Sequence, residues 1–165
     1  MEPDIDTLRA QAEQGDANAQ YRLGGMYRDG TGVQQDYTEA VRWYRLAAEQ
    51  GLAEAQFVLG GMYAFGGGVP QDAAEAVRWF RLAAEQGYAR AQASLGLMYD
   101  TGEGVTQDDV QAHMWFNLVA SRAAGRAREM AVEDRDLVAR RMTAAQLAEA
   151  QRLAREWDEA HPPEP

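Results

Sequence analysis

The sequence predicts an all-α protein, an α-solenoid of three helix-turn-helix units of 36 residues. Alanine occurs 31 times in 165 residues, against ten valines and one isoleucine, a balance that favours helices over strands. The stretch 17–52 recurs at 53–88 with 25 of 36 positions identical, and 53–88 recurs at 89–124 with 17 of 36. A fixed period of this length is typical of stacked helical repeats.

Each unit predicts two helices. The first carries apolar residues at helical spacing and ends at Gly30. The second begins at Asp36 with Glu39 three residues later, a capping-box pattern that recurs from Asp72 and Asp108. Its buried face contains the repeated tryptophans at 43, 79 and 115, and the glycines at 24, 60 and 96 allow close helix approach. Because one pair cannot bury both of its faces, the units must stack.

The ends of the chain predict caps on this array. Residues 8–15 match the end of a second helix, so 1–16 are predicted to form an N-terminal half-repeat, and 125–159 are predicted to form two C-terminal capping helices. The first capping helix carries a stripe of apolar residues on one face, and the second begins at Thr143 with a capping box. The stripe is predicted to contain Ala127, Met130, Ala131, Leu137 and Val138. The proline-rich tail 160–165 is predicted to be disordered, and the rest to form one structural domain.

The third unit differs from the others on the outer face of its second helix. Met114 and Asn117 stand where the earlier units carry arginines. We therefore expect the C-terminal helices to cover this face.

Composition excludes several classes of function. The net charge is −10 without a basic stripe, so nucleic acid is not an expected partner. The chain contains neither lysine nor cysteine, which removes Schiff-base, P-loop and thiol chemistry. His113 and His161 lack spaced metal ligands, and His113 lies about 12 Å along one helix from Ser121, too far for a catalytic pair. We expect no catalytic residues, no metal and no cofactor, and we interpret the glycine-rich loops as turns.

No stretch resembles a signal peptide or a membrane span. The first residues are acidic where a signal peptide is basic, and no segment approaches ~20 apolar residues. If Met1 is the natural start, a cytoplasmic protein without membrane insertion is predicted.

The repeated pattern resembles the Sel-one-like repeat (SLR) family, which is related to tetratricopeptide repeats. The matching residues are Ala-x-Ala-Gln-x-x-Leu-Gly-x-Met-Tyr-x-x-Gly-x-Gly-Val-x-x-Asp, then Ala-x-x-Trp-Tyr/Phe-x-x-Ala-Ala-x-Gln-Gly, between residues 17 and 124. The resemblance implies a right-handed superhelix whose first helices line a concave face. It also implies a protein-interaction scaffold or adaptor, although cysteine-rich relatives are reported to bind or hydrolyse β-lactams.

Positions that differ between units on this face are the candidate binding residues. Four apolar side chains are expected to be exposed there and to anchor a protein or peptide segment: Phe57, Val58, Phe65 and Leu97. Arginines beside them are expected to pair with acidic groups of that segment. The hypothesis names Tyr21, Arg22, Arg28, Phe57, Val58, Phe65, Arg90 and Leu97. Three alternatives stay open: packing or the caps cover some of these residues, the patch forms a homodimer, or the protein is an enzyme of the β-lactam type.

Overall fold

The computed structural model describes residues 4–163, which contain nine α-helices and no strand. The all-α class is therefore confirmed for these residues. The helices are α1 (Ile5–Glu13), α2 (Ala17–Asp29), α3 (Tyr37–Glu49), α4 (Ala53–Phe65), α5 (Ala73–Glu85), α6 (Ala89–Thr101), α7 (Asp109–Arg122), α8 (Gly125–Ala139) and α9 (Ala144–Ala160). The chain divides near the end of α5 into two compact units, unit 1 (Met1–Ala83) and unit 2 (Ala84–Pro165).

The predicted helix ends are observed in unit 1. Gly30 ends α2 in the left-handed conformation with φ 71°, which a residue without Cβ adopts at little cost. The Asp36 carboxylate accepts a hydrogen bond from the Glu39 backbone N–H at 3.0 Å. The capping box itself is only half formed at this position, because the Glu39 side chain pairs with Arg42 at 3.2 Å. Both halves are present at Thr143, as predicted.

In unit 1, α3 packs against both α2 and α4. A Cβ at Gly24 would lie 3.0 Å from the Tyr44 ring, and one at Gly60 would lie 2.8 Å from the Phe80 ring. These distances confirm the predicted close approach. The buried Gln56 amide adds a polar link, since it donates to the Ala48 carbonyl at the end of α3 at 3.1 Å.

In unit 2, α7 packs against α6, α8 and α9. Met114 is 6% exposed, and the Trp115 ring lies 6.3 Å from the ring of Trp157 on α9. Asn117 accepts a hydrogen bond from Arg135 of α8 at 3.2 Å. The expected cover over the changed face of α7 is therefore confirmed.

The predicted stripe of α8 is wrong in part. Ala131 and Val138 are buried, but Ala127 is exposed, and Met130 and Leu137 are 51% and 54% exposed. The helix contacts α7 through residues 131 and 135, so positions 130 and 137 turn away from that contact.

The predictions for the chain ends fall partly outside the described residues. Residues 1–3 and 164–165 lie outside the described residues. They are the first residues of the predicted half-repeat and the last residues of the predicted tail. Within the described part, α9 extends to Ala160, and the His161 ring stacks on Trp157 at 4.1 Å.

Candidate functional site

The predicted binding residues belong to both units, so each set is described by itself. In unit 1, α2 carries Tyr21, Arg22 and Arg28, and α4 carries Phe57, Val58 and Phe65. In unit 2, α6 carries Arg90 and Leu97. We call the unit 1 set the α2–α4 face.

Phe65 is the most exposed aromatic side chain of the α2–α4 face. Its exposed fraction is 89%, because it is the last residue of α4 and lies beyond the buried stripe of that helix. The equivalent residues of the other repeats are Asp29 and Thr101, both polar and both exposed. The ring is therefore not required by the packing of the repeat.

Phe57 and Val58 correct the expectation that all four apolar candidates are exposed. Both are half-buried. The Phe57 ring lies 5.7 Å from Phe80, as the ring of Tyr21 lies 5.6 Å from Tyr44 in the preceding repeat. Val58 packs against the core cluster of unit 1 that contains Tyr44 and Leu59. These side chains support the fold and offer only part of their surface to a partner.

The α2–α4 face carries two arginines, one of which forms an ion pair on its own helix. Arg28 donates from Nε and Nη2 to the two carboxylate oxygens of Asp29 at 2.7 and 2.9 Å. This pair raises the pKa of Arg28 and lowers the pKa of Asp29, chiefly through the hydrogen bonds. Asp29 therefore neutralises Arg28 locally. Arg22 lies exposed on the same helix.

On α6 of unit 2, Leu97 is 53% exposed and Arg90 is exposed. Ala93 occupies the position equivalent to Tyr21 and Phe57. It packs against a cluster formed by Val119, Ala120 and Ala131. Residues of α7 and α8 therefore contact the position at which an aromatic ring stands in the first two repeats.

The hydroxyl groups of the serines on α6 and α7 donate to backbone carbonyls. Ser121 Oγ donates to the Leu118 carbonyl at 2.9 Å, and Ser94 Oγ donates to the Arg90 carbonyl at 3.0 Å. Residues 4–163 contain no group of three or more histidine, cysteine or acidic side chains able to hold a metal ion. In the same residues, no helix is both long and apolar enough to cross a membrane.

Sequence reasoning missed one feature of unit 2, a cavity between α7, α8 and α9. His113, Asn117 and Arg135 are among the residues that line it. The available signal was the departure of positions 113 and 117 from the valines and arginines of the earlier repeats.

Comparison with proteins of known sequence and structure identifies the repeat. The family model described as "Sel1 repeat" matches residues 17–52, 53–88 and 89–122. A Sel1 repeat protein from Oxalobacter formigenes is 39% identical, with a TM-score of 0.72 over 79% of this chain and 98% of that one. A comparison with curated proteins gives no match.

Two further structures share the fold. The protective antigen c5321 of uropathogenic Escherichia coli, which displays an SLR fold, is 38% identical, with a TM-score of 0.81. The alignment covers 94% of this chain and 32% of that one. Helicobacter pylori cysteine rich protein B is 18% identical, with a TM-score of 0.59 over 78% of this chain and 97% of that one. At that identity the likeness concerns the fold alone.

These matches bear out the α-solenoid repeat class that the 36-residue period predicts. The family model covers well over half of the chain, in three consecutive copies. The chain belongs to the Sel1 repeat family.

Proposed function

We propose that this chain is a non-catalytic scaffold or adaptor that binds a peptide or protein segment on the α2–α4 face, with Phe65 as the anchor. Sel1 repeat proteins are generally protein-interaction modules, which supports a protein partner. The single observation that carries the proposal is the 89% exposure of Phe65 at a position where the equivalent residues are polar.

An exposed phenylalanine ring favours binding because its apolar surface gains free energy when a partner removes it from water. The ring also loses little conformational entropy on binding, since it has only two side-chain torsions. Aromatic residues are accordingly enriched in the buried centres of protein interfaces. Phe57 and Val58 supply a half-buried apolar border on the same helix, so an extended or helical segment would meet more than one apolar residue.

Charge favours a segment with acidic residues near its apolar anchor. Arg22 is exposed on α2, and Arg28 forms a partly exposed pair with Asp29. An acidic group of the ligand would contact Arg22 or Arg28, and at Arg28 it would compete with Asp29. Such exposed contacts contribute more to the rate of association and to specificity than to affinity.

The proposal is tested by capture from a lysate of the source organism, with the full chain as bait. We compare the wild type with Phe65→Ala and with Leu46→Ala, since Leu46 is an apolar residue of α3 that is 38% exposed. A partner that binds the α2–α4 face is lost with Phe65→Ala and retained with Leu46→Ala. Equal recovery with both variants would contradict the proposal.

Light scattering on the same three proteins tests whether the partner is a second copy of the chain. A wild-type dimer that Phe65→Ala converts to a monomer would replace the scaffold proposal with homodimerisation. The cysteine-rich relative shares only the fold with this chain, so it gives no support to the β-lactam alternative.

A further inference from the structure

Unit 2 presents apolar side chains on α6 and α8 that its own packing does not cover. Leu97 of α6 and Met130 and Leu137 of α8 are each more than half exposed. The first two repeats carry glycine at the position of Leu97, and the third repeat carries Ser94 and Thr101 at the positions of Met130 and Leu137. The repeat therefore does not require apolar side chains at these three positions.

Contacts between α6 and α8 place Leu97 beside α8. Ala93 packs against the cluster that contains Ala131, and Arg141, which follows α8, binds the Asp100 carboxylate. Leu97 lies four positions after Ala93 and three before Asp100, so these residues share the side of α6 that faces α8. Leu97 therefore borders α8.

On α8, two exposed apolar residues enclose a carboxylate. Asp134 lies four positions after Met130 and three before Leu137, so these side chains form one stripe along the helix. Glu133 is exposed beside Asp134. We call Leu97, Met130, Leu137 and the two carboxylates the α6–α8 face. Contiguous exposed apolar groups mark interaction surfaces, unlike single scattered ones.

Asp134 forms no ion pair with any arginine or histidine of residues 4–163. It is half-buried, and its charge interacts with those of Asp100 and Glu133. Burial, then Asp100 and then Glu133 raise the pKa of Asp134, because each disfavours the ionised carboxylate. A cation that a partner brings to this carboxylate would stabilise its ionised form and offset the repulsion.

The arginines near the α6–α8 face are held elsewhere or lie too far along α8. Arg141 binds the carboxylates of Asp100 and Asp109, and Arg135 pairs with Asp136. Three further arginines, at 126, 128 and 140, lie about 9–12 Å along the helix axis from residue 134. The centre of the face is therefore acidic, whereas the two ends of α8 are basic.

This arrangement selects a partner by apolar spacing and charge together. Met130 and Leu137 are seven residues apart, which is about 10.5 Å or two helical turns. A helix packed along α8 contacts both with apolar side chains of its own at the same spacing, and the residue midway between them then lies over the carboxylates. A positive side chain at that midway position complements Asp134, whereas a negative one adds to the repulsion.

We propose that the α6–α8 face binds a helical segment of a protein partner with two apolar side chains seven positions apart and an arginine or lysine between them. The site lies in unit 2 and differs from the α2–α4 face in the sign of the charge that it attracts. It does not depend on Phe65, so either proposal can fail without the other.

The test measures the fluorescence anisotropy of a labelled alanine-based peptide titrated with the full chain. The peptide has leucines seven positions apart and two arginines midway between them, and its matched control has glutamates in place of the arginines. We expect the arginine peptide to bind at least ~10-fold more tightly than the glutamate peptide, because only the arginines pair with Asp134. Equal binding of the two peptides, or no binding of the arginine peptide below ~1 mM, would overturn the proposal.

Variants test each part of the face. Asp134→Asn should weaken binding of the arginine peptide by ~3–10-fold, whereas Glu159→Gln, which removes an exposed carboxylate of α9, should leave it unchanged. Met130→Ser combined with Leu137→Thr introduces the residues of the third repeat, so this double variant should fold, which circular dichroism checks. It should weaken binding by at least ~10-fold. Unchanged binding in Asp134→Asn or in the double variant would overturn the assignment.

Two controls separate this site from the α2–α4 face and from a second copy of the chain. Phe65→Ala should bind the arginine peptide as the wild type does, and a loss of binding there would contradict a site confined to unit 2. Light scattering of the wild type and the double variant measures self-association. A wild-type dimer that the double variant converts to a monomer would overturn the proposal in favour of homodimerisation.

Discussion

The contact between α3 and α4 in unit 1 differs from the contact between α7 and α8 in unit 2, although both join residues 18 positions apart. In unit 1, Arg45 lies over the Tyr63 ring, with 5.8 Å between the guanidinium carbon and the ring centroid. In unit 2, Arg135 and Asn117 form the link without a ring, and a cavity opens beside a buried histidine. The repeat can thus keep a helix–helix link while its side chains no longer fill the space beside it.

The largest expected effect comes from removing α8 and α9 by ending the chain at Ala124. This change exposes Met114, Trp115 and Phe116, which are 6%, 5% and 1% exposed in the full chain. A solenoid without its capping helices exposes its core to water, so we expect aggregation on size exclusion with light scattering. A monomeric product with an unchanged melting temperature would show that α8 and α9 do not support unit 2.

The next effect concerns the filled core of unit 1. Trp79 is 5% exposed and belongs to the same core cluster as Tyr44 and Leu59. Trp79→Ala should lower the free energy of unfolding by ~3–5 kcal/mol, because it removes a large buried side chain and leaves a cavity. Chemical denaturation measures this loss, and a loss below ~1 kcal/mol would contradict a closely packed repeat core.

A smaller effect separates two adjacent glycines of α4. A Cβ at Gly60 would lie 2.8 Å from the Phe80 ring, whereas a Cβ at Gly61 would meet no atom within 4 Å. Gly60→Ala should therefore destabilise the chain by ~1–3 kcal/mol. Gly61→Ala should stabilise it by ~0.5–1 kcal/mol, because alanine favours the helix. Thermal melts of both variants compare them directly, and equal melting temperatures would contradict the close approach at Gly60.

The smallest effect is a pH dependence specific to unit 2. The pKa of His113 lies below its ordinary value of 6.5, because burial and then Arg135 disfavour the imidazolium, while Asp136 opposes them. As pH falls below about 6.5, the unfolded chain binds a proton at this residue that the native chain does not, so stability falls. His113→Val should lose less stability than the wild type between about pH 7 and about pH 5.

Urea denaturation at the two pH values measures this difference. The raised pKa of Asp134, which follows from burial and from the charges of Asp100 and Glu133, is common to both proteins and cancels in the comparison. An identical loss in both proteins would show that His113 is not the acid-sensitive group.

Much of the fold could be predicted from the sequence because the repeat fixes it locally. Glycine at the end of each first helix and aspartate before each second helix set the helix ends, and the Gly24–Tyr44 and Gly60–Phe80 contacts follow from small and aromatic residues in register. The exposure of α8 could not be predicted, since its apolar residues fit more than one stripe. Only the contact with α7 decides that Met130 and Leu137 face outward.

The candidate site could be predicted only in part, for a related reason. Variation between repeats predicts exposure, yet Tyr21 and Phe57 pack on the aromatic ring of their own repeat, and Ala93 contacts residues of α7 and α8. One position thus accepts a ring or a methyl group, because different neighbours fill the space. The cavity in unit 2 could likewise not be predicted from the sequence, since it depends on how α8 and α9 both pack against α7.

The measurement that tests the central claim most directly compares Phe65→Ala with Phe57→Ala in both stability and affinity for the captured partner. Phe65 is 89% exposed, and Phe57 contacts Phe80. We expect Phe65→Ala to change the free energy of unfolding by less than ~0.5 kcal/mol and to weaken binding by at least ~30-fold, a cost of ~2 kcal/mol. Phe57→Ala should instead cost ~1–3 kcal/mol of stability. Full affinity in a stable Phe65→Ala variant would contradict the account.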